Sequence, residues 1–451
     1  MASVSESMHG MWSSRLMFVL AAAGSAVGLG NIWRFPYIAG ANGGGSFVLV
    51  YLLCIAIIGI PIMTSEILLG RAGRQSPIHS MRDLARQSGA SPMWQLIGWM
   101  GALAGFMILS FYGVIAGWAM AYIVSSAQGT FTGVDAAQAT AIFNGFIGDP
   151  FEVVAWQTVF MVMTVVIVAR GVGEGIETAV KYLMPALFIL LIALVVYAMF
   201  SGHFMEGVRF LFSFHRGELG WDGVLMAMGQ AFFTLSLGMA AIMTYGAYMP
   251  KDASIVGTAT TIALLDTLVA VLAALVIFPL VFANGLESSS GPGLMFVTLP
   301  LAFGHMTGGQ IFGTVFFILV TFAAVTSSIS IMEPAVAWLV ERLYVPRKWA
   351  AIVVGGVAWA LGLGTAFSFN IWSDVTILPG KSFFDTMDFV SNNVMLPLGG
   401  MLIALFAGWF LDAKIRNDEL ALSPGMFAIW RVLVRFVAPA AVFVVFVMTF
   451  V

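Results

Sequence analysis

Charge is what this chain has least of. Only 9% of its 451 residues are Asp, Glu, Lys or Arg, while 60% are hydrophobic, and the mean hydropathy is +0.99. A soluble domain carries about a quarter charged residues, so this chain lacks the surface that contact with water demands. A cytosolic enzyme and a secreted scaffold are excluded on that ground. Basic excess is missing as well: nineteen Lys and Arg against twenty-two Asp and Glu leave a net charge of −3, which excludes a nucleic-acid binder that must neutralise phosphates. Cysteine is nearly absent. Cys54 is the only one, so no intrachain disulfide can form, and its apolar surroundings favour a small packing residue over a redox or metal site. What remains is a polytopic membrane protein.

Apolar run length is abundant. A membrane helix needs about 20 apolar residues, and the stretches that roughly meet this are 16–39, 44–69, 95–124, 153–170, 178–200, 224–249, 255–283, 309–340, 350–367, 389–411 and 428–450. Several exceed a straight crossing, which predicts tilt or breaks. The leading MASVSESMHGMWSSR is polar and lacks the basic region and short apolar core of a secretory signal, so no cleavage is expected. Fifteen of the nineteen basic residues fall on the N-terminal side of the membrane; the opposite loops hold Arg209, Arg216 and Lys381, and Arg34 lies within the first span. This bias predicts a cytoplasmic N-terminus, and the odd span count then predicts Val451 outside. Trp12, Trp94, Trp349 and Trp430, near span ends, are expected as interfacial anchors.

Five ionisable residues interrupt the spans: Arg34, Glu66, Asp266, Glu333 and Asp388. Each costs at least about 2.5 kcal/mol near the bilayer centre, so it needs a partner, a protein environment or a water cavity. Glu66, five residues before Arg71, and Asp388, close to the outer start of its span, are also placed to snorkel. Asp266 is not, being about eleven residues into an apolar run. Glu333 precedes Pro334, where a hydrogen bond at a kinked helix is one use for it.

The backbone is interrupted too. The first span reads Gly24-Ser25-Ala26-Val27-Gly28-Leu29-Gly30-Asn31 and the sixth Thr234-Leu235-Ser236-Leu237-Gly238-Met239. Glycine costs a helix about 1 kcal/mol relative to alanine, although small residues also serve close helix packing. Both interruptions lie about a dozen residues into their spans, five spans apart. Such a pairing points to a transporter of inverted repeats, with cations on freed carbonyls and an anionic group on helix N-termini.

These residues resemble a known family. Gly24 through Tyr37 (GSAVGLGNIWRFPY), followed by Asn42-Gly43-Gly44-Gly45-Ser46-Phe47, closely resemble the first-helix signature of the neurotransmitter:sodium symporter family. Gly59-Ile60-Pro61 with Glu66, Gln230 through Gly238, Thr326-Ser327-Ser328-Ile329 and Asp385 through Phe389 follow in family order. That family is itself a standing example of broken-helix transporters, so the repeat reading is not independent of it. The resemblance implies an all-α fold of 11 transmembrane helices: a 5+5 inverted repeat with helices 1 and 6 broken, plus one extra helix. The whole chain would form a single transporter domain, with repeat one at about 15–200, repeat two at about 222–412 and the extra helix at about 428–450.

The resemblance also implies a site. One sodium would lie between Ala26, Asn31, Thr234 and Asp266, completed by the substrate carboxylate. A second would lie between the carbonyls of Gly24, Val27 and Ala323 and the hydroxyls of Thr326 and Ser327, although such hydroxyls ordinarily join helices. Substrate would contact Ser25, Ala26, Gly28, Gly30, Ile108, Tyr112, Phe233, Thr234, Ser236, Met239, Ser327 and Ile331. Family members that carry monoamines have an aspartate where Gly28 stands. Glycine leaves that space open, so an amino acid bringing its own carboxylate to the Tyr112 hydroxyl is expected. The side-chain lining is uncharged, and adaptable Met239 suits several neutral, hydrophobic side chains.

Gates follow from the same resemblance. Arg34 and Asp388, with Phe233 as lid, match the outer gate; Trp12, His9 and Glu341 match the inner one. His9 replaces a basic residue common in the family, and histidine loses its proton near neutral pH, with Arg342 an alternative partner. Glu66 matches the carboxylate that supports the sixth-span break. Asp266 stands where relatives carry asparagine, and Ala270 where chloride-independent ones carry a fixed carboxylate. Asp266 is therefore expected both to ligate sodium and to supply the compensating charge, removing the need for chloride.

The expectation is a sodium-coupled secondary symporter for neutral, hydrophobic amino acids, chloride-independent, in a bacterial inner membrane. The alternative is an amino-acid sensor that keeps the site and has lost turnover. Enzymatic chemistry is not expected: Glu66, Asp266 and Glu333 sit on separate spans, while His79, His203, His215 and His305 fall in loops or at span edges. Two sodium ions, an amino acid and the lipid bilayer are the implied partners, with no nucleic acid. The amino acid carried, ion stoichiometry, proton counter-transport and oligomeric state are left open.

Overall fold

The computed structural model describes residues 7–214, 219–285 and 293–450; His215, Arg216 and Val451 lie outside them. Among the described residues the regular structure is helical, apart from one isolated β-bridge between Leu378 and Lys381. Nine helices among the described residues are long and apolar enough to cross a membrane: Gly45–Gly73, Pro92–Ala127, Pro150–Ala169, Val172–Met199, Ile255–Ala283, Gly309–Leu343, Arg347–Phe367, Phe383–Phe410 and Pro424–Met448. The pair Arg15–Ala26 and Gly30–Ala41 makes a tenth crossing, bent by 54° at its break. Each coincides with an apolar run of the sequence. The expected span at 224–249 takes a different form. It is two shorter helices, Trp221–Thr234 and Ala241–Ala247, and neither is long enough to cross alone. The numbering of spans below counts this pair as the sixth.

Burial sorts the spans. Spans three and eight (Pro92–Ala127 and Gly309–Leu343) have 78% and 83% of their most apolar stretch inside the protein, against 33% and 22% for spans four and eleven. The outer helices thus present their side chains to lipid, and spans three and eight back the two broken spans from within. Cys54 is buried among apolar neighbours, as a packing residue should be.

Two of the tryptophans expected at the interface are inside the protein. Trp12 is 2% exposed and its indole N–H donates to the Tyr245 carbonyl at 3.1 Å; Trp430 is 5% exposed. Trp349, 57% exposed, fits the anchoring role. A ring near a span end is drawn inward wherever another helix end offers apolar surface, and position along the chain does not reveal that neighbour.

Candidate functional site

The first break is made by residues that allow backbone and side chains to crowd. The helix from Arg15 ends at Ala26, Val27 turns to extended backbone, and helix resumes at Gly30. A Cβ on Gly28 would lie 2.7 Å from the Ser327 hydroxyl and 3.0 Å from the Tyr112 hydroxyl, so a larger residue there requires those side chains to shift. The second break, Leu235 to Ala240, contains three left-handed residues: Ser236 (φ +54°), Gly238 (φ +82°) and Ala240 (φ +62°). A left-handed conformation costs a non-glycine residue roughly 1–2 kcal/mol. Hydrogen bonds hold the turn in place: Ser236 Oγ donates to the Ser25 carbonyl at 3.0 Å, and Glu66 Oε1 accepts from the Gly238 N–H at 2.6 Å.

Glu66 therefore does not snorkel towards Arg71. It is fully buried, while Arg71 turns to Glu419 at 2.6 Å and to the Ala253 carbonyl at 2.5 Å. The two breaks are thereby tied to each other through Ser236 and Ser25, and to span two through Glu66.

Between the breaks lies a narrow cavity of about 40 Å³, tighter than the roughly 300–1,000 Å³ of open small-molecule sites. All twelve residues expected to touch substrate line it, and Leu29 and Phe111 join them. No ionisable carboxylate, amine or guanidinium is among them. The lower wall is the end of one half-helix at Ala26, and the upper wall is the start of the next at Gly30, whose N–H groups and positive dipole end suit an anion. The buried Tyr112 hydroxyl lies against the Ser327 hydroxyl and the unwound backbone at Leu29.

Two polar clusters flank this cavity. In the first, Asn31 Nδ2 donates to Asp266 Oδ1 at 2.7 Å and to Thr234 Oγ1 at 3.0 Å, while Thr234 Oγ1 donates to Asp266 Oδ2 at 3.0 Å. Asp266 is fully buried, and among the described residues no basic side chain pairs with it. A buried carboxylate without a cation is costly, so this cluster fits a bound cation. In the second, Ser327 Oγ lies 3.1 Å from the Val27 carbonyl and 3.4 Å from that of Gly24, and Thr326 Oγ1 lies 3.0 Å from the Ala323 carbonyl. Its donors are all neutral oxygens, a set suited to a monovalent ion at the end of a broken helix.

The expected gates are differently assembled. On the outer side the Arg34 guanidinium stacks 4.5 Å from the Phe233 ring centre, and Phe233 roofs the cavity. Arg34 and Asp388 do not form an ion pair within 4 Å; the Asp388 carboxylate accepts from Asn392 Nδ2 at 2.6 Å. Asn392, which fills a span-ten position one turn further on, supplies the nearer donor.

On the inner side Glu341 is the hub. It takes His9 Nε2 at 2.9 Å, His79 Nδ1 at 2.7 Å and the Ser76 N–H at 2.7 Å, with the Ser76 hydroxyl as a fourth partner. His79, expected in a loop or at a span edge, lies on the short helix Pro77–Gln87, and nothing local signals a partner 262 positions away. Trp12 seals the same side with its backbone N–H on the Tyr248 carbonyl at 3.0 Å and its ring edge-on to Tyr245. Glu333 also finds partners that its place before Pro334 does not reveal. Arg347 meets it with both terminal nitrogens, at 2.9 and 2.5 Å, and the Tyr248 hydroxyl donates to it at 2.9 Å.

Membrane helices leave backbone unpaired at mid-depth only where it is buried in protein or lines a cavity, and two such breaks facing one cavity make the architecture of a secondary transporter. The chain belongs to the Sodium:neurotransmitter symporter family, whose profile matches residues 9–144 and 145–451. It is 40% identical to YhdH, an uncharacterised sodium-dependent transporter of Bacillus subtilis (strain 168), over 98% of each chain. It is 36% identical to an uncharacterised sodium-dependent transporter of Haemophilus influenzae (strain ATCC 51907 / DSM 11121 / KW20 / Rd) over 97% of each. Among solved structures, the crystal structure of MhsT in complex with L-phenylalanine superposes with a TM-score of 0.90 at 46% identity, covering 98% of this chain and all of that one.

Proposed function

We propose that this protein couples sodium to the uptake of neutral, hydrophobic amino acids by alternating access, without chloride. The observation that carries the reading is the cavity between the breaks: uncharged side chains around it, a helix N-terminus and the Tyr112 hydroxyl on one wall, and a lone buried carboxylate beside it. An amino-acid carboxylate would meet the Gly30 helix end and Tyr112, and the apolar side chain would lie towards Ile108, Phe233, Met239 and Ile331. One sodium would join Ala26, Asn31, Thr234 and Asp266 to the substrate. The second would rest on Gly24, Val27, Ala323, Thr326 and Ser327. The relative solved with L-phenylalanine supports an amino acid of this character.

The rest of the proposal follows the family. The segment at 221–247 crosses as the sixth of eleven spans, the repeats run from about 15–200 and about 222–412 in opposite senses, and the helix at about 428–450 is additional. The N-terminus faces the cytoplasm of a bacterial cell and the C-terminus faces out. Arg34, Phe233 and Asp388 close the outer path; His9, Trp12 and Glu341 close the inner one. A ligand shifts such a balance only through different affinity for the two states, so sodium must raise substrate affinity and substrate must raise sodium affinity by the same factor.

Uptake of radiolabelled amino acids into proteoliposomes tests this. Accumulation of neutral hydrophobic substrates in sodium, abolished when potassium replaces it, is expected. Tight binding with no counterflow would instead identify a sensor, and strong stimulation by chloride would remove the compensating role of Asp266.

A further inference from the structure

Away from the transport path, three arginines gather where spans ten and eleven end. Span ten closes in a wide turn, Phe406–Phe410, whose last carbonyls have no partner in their own helix. Arg416, on the short helix Ala413–Leu420, donates from Nη1 to the Gly408 carbonyl at 3.0 Å and to that of Ala407 at 3.3 Å. Arg435, on span eleven, donates from Nε to the same Gly408 oxygen at 2.6 Å. Two guanidinium groups thus converge on one oxygen. Arg431 lies one helical turn before Arg435 and is exposed. A helix C-terminus carries only about half a negative charge, which does not account for three cations.

Little offsets them. Among the described residues no carboxylate comes within 4 Å of any of the three arginines. Asp412, which acts on Arg416 from further off, caps the next helix by accepting from the Lys414 and Ile415 N–H groups. Glu419 is held by Arg71. Arg416 is 7% exposed, yet its Nε has no acceptor. Aromatic rings frame the cluster: Trp409 lies 4.5 Å beneath Arg435 and Phe427 lies 5.7 Å from Arg416, with Trp409, Phe410 and Phe436 about half exposed. Such rings mark the depth of lipid headgroups.

We infer that Arg416, Arg431 and Arg435 form a headgroup site for an anionic phospholipid. Its phosphate would take the guanidinium donors that Gly408 leaves free, and its acyl chains would lie along the exposed apolar sides of spans ten and eleven. Phosphate matches guanidinium in charge and in paired geometry, and basic pockets between spans on the cytoplasmic side bind acidic headgroups. A zwitterionic headgroup brings a cation of its own into a cluster already crowded with them, so the site selects on net charge. The inference does not depend on transport.

Native mass spectrometry of the full chain, extracted in mild detergent and titrated with phosphatidylglycerol or phosphatidylcholine of matched chains, tests it. One phosphatidylglycerol should be retained well beyond phosphatidylcholine. Arg431→Gln, which breaks no hydrogen bond of the fold, should weaken that retention about fivefold, and Arg431→Gln with Arg435→Gln further still. If the double variant does not fold, the single one decides. Millimolar inorganic phosphate should leave the bound lipid in place. Equal retention of the two lipids, unchanged retention in Arg431→Gln, or displacement by free phosphate would each overturn the lipid assignment. Amino-acid binding by Arg431→Gln should match the unmodified protein, which separates this result from any failure of the transport reading.

Discussion

Asp266 shows what a single residue can declare. A lone acid about eleven positions into an apolar span already asks for a partner, a protein environment or a water cavity in the sequence, and the fold surrounds it with Asn31 and Thr234 and, among the described residues, no paired basic side chain. Asp266→Asn keeps the size and removes the charge. Sodium stimulation of amino-acid binding should fall more than tenfold in that variant, read by equilibrium binding across a sodium titration, and chloride should restore part of it. Tyr112 is the complementary case. Its buried hydroxyl lies against Ser327 and the Leu29 backbone, so Tyr112→Phe should lower the melting temperature only slightly. Substrate affinity should drop about 10- to 100-fold, the worth of a hydrogen bond to a charged group at roughly 1.5–3 kcal/mol. A variant that binds normally would remove Tyr112 from the carboxylate site. Asp266 and the glycine at position 28 were legible from the chain alone, because each violates the rule of its own surroundings. His79 was not, since a histidine on the short helix Pro77–Gln87 gains its carboxylate partner only when Glu341 is folded against it.

At the scale of elements, the broken helices depend on supports lying elsewhere. The Leu235–Ala240 turn holds Ser236 and Ala240 left-handed, and Glu66 from span two accepts the Gly238 N–H. Glu66→Ala leaves that buried donor unmet at a cost of about 1–3 kcal/mol. The melting temperature should fall and substrate binding should weaken, although Glu66 does not line the cavity. Glu66→Gln retains an acceptor oxygen and should recover most of both. Equal damage from the two substitutions would mean that the carboxylate charge, rather than the hydrogen bond, is what the break requires. Glycine and serine runs announced where the helices break; which carboxylate steadies the turn became visible only when span two was packed beside it.

For the molecule as a whole, the proposed inner closure joins the chain's first turn to spans six and eight. Glu341 gathers His9, His79 and Ser76, and Trp12 binds backbone near Tyr245 and Tyr248. Removing the hub with Glu341→Ala should shift the population towards an inward-open form. Hydrogen–deuterium exchange would read this as lost protection over residues 7–14 and 245–249; unchanged protection would place the closure elsewhere. Deeper on the same side, Glu333 and Arg347 form a buried pair. Breaking such a pair from one end costs about 3–5 kcal/mol, whereas replacing both ends with apolar groups is often close to neutral. Glu333→Gln and Arg347→Met should therefore each lower the melting temperature markedly, and the double variant should be less harmed than their sum.

Composition and run length by themselves determined that this chain lives in a bilayer, and glycine-rich interruptions told where two of its helices break. Those conclusions are local, because each rests on what a short segment does with its own backbone and its own apolar surface. Tertiary structure decided the partnerships. It stacked Arg34 on Phe233 without an ion pair to Asp388, gave Glu333 to Arg347, drew Trp12 and Trp430 away from the interface, and brought two arginines to one carbonyl. Such contacts join residues far apart along the chain, and their energies depend on distance and burial, which only the packed helices define.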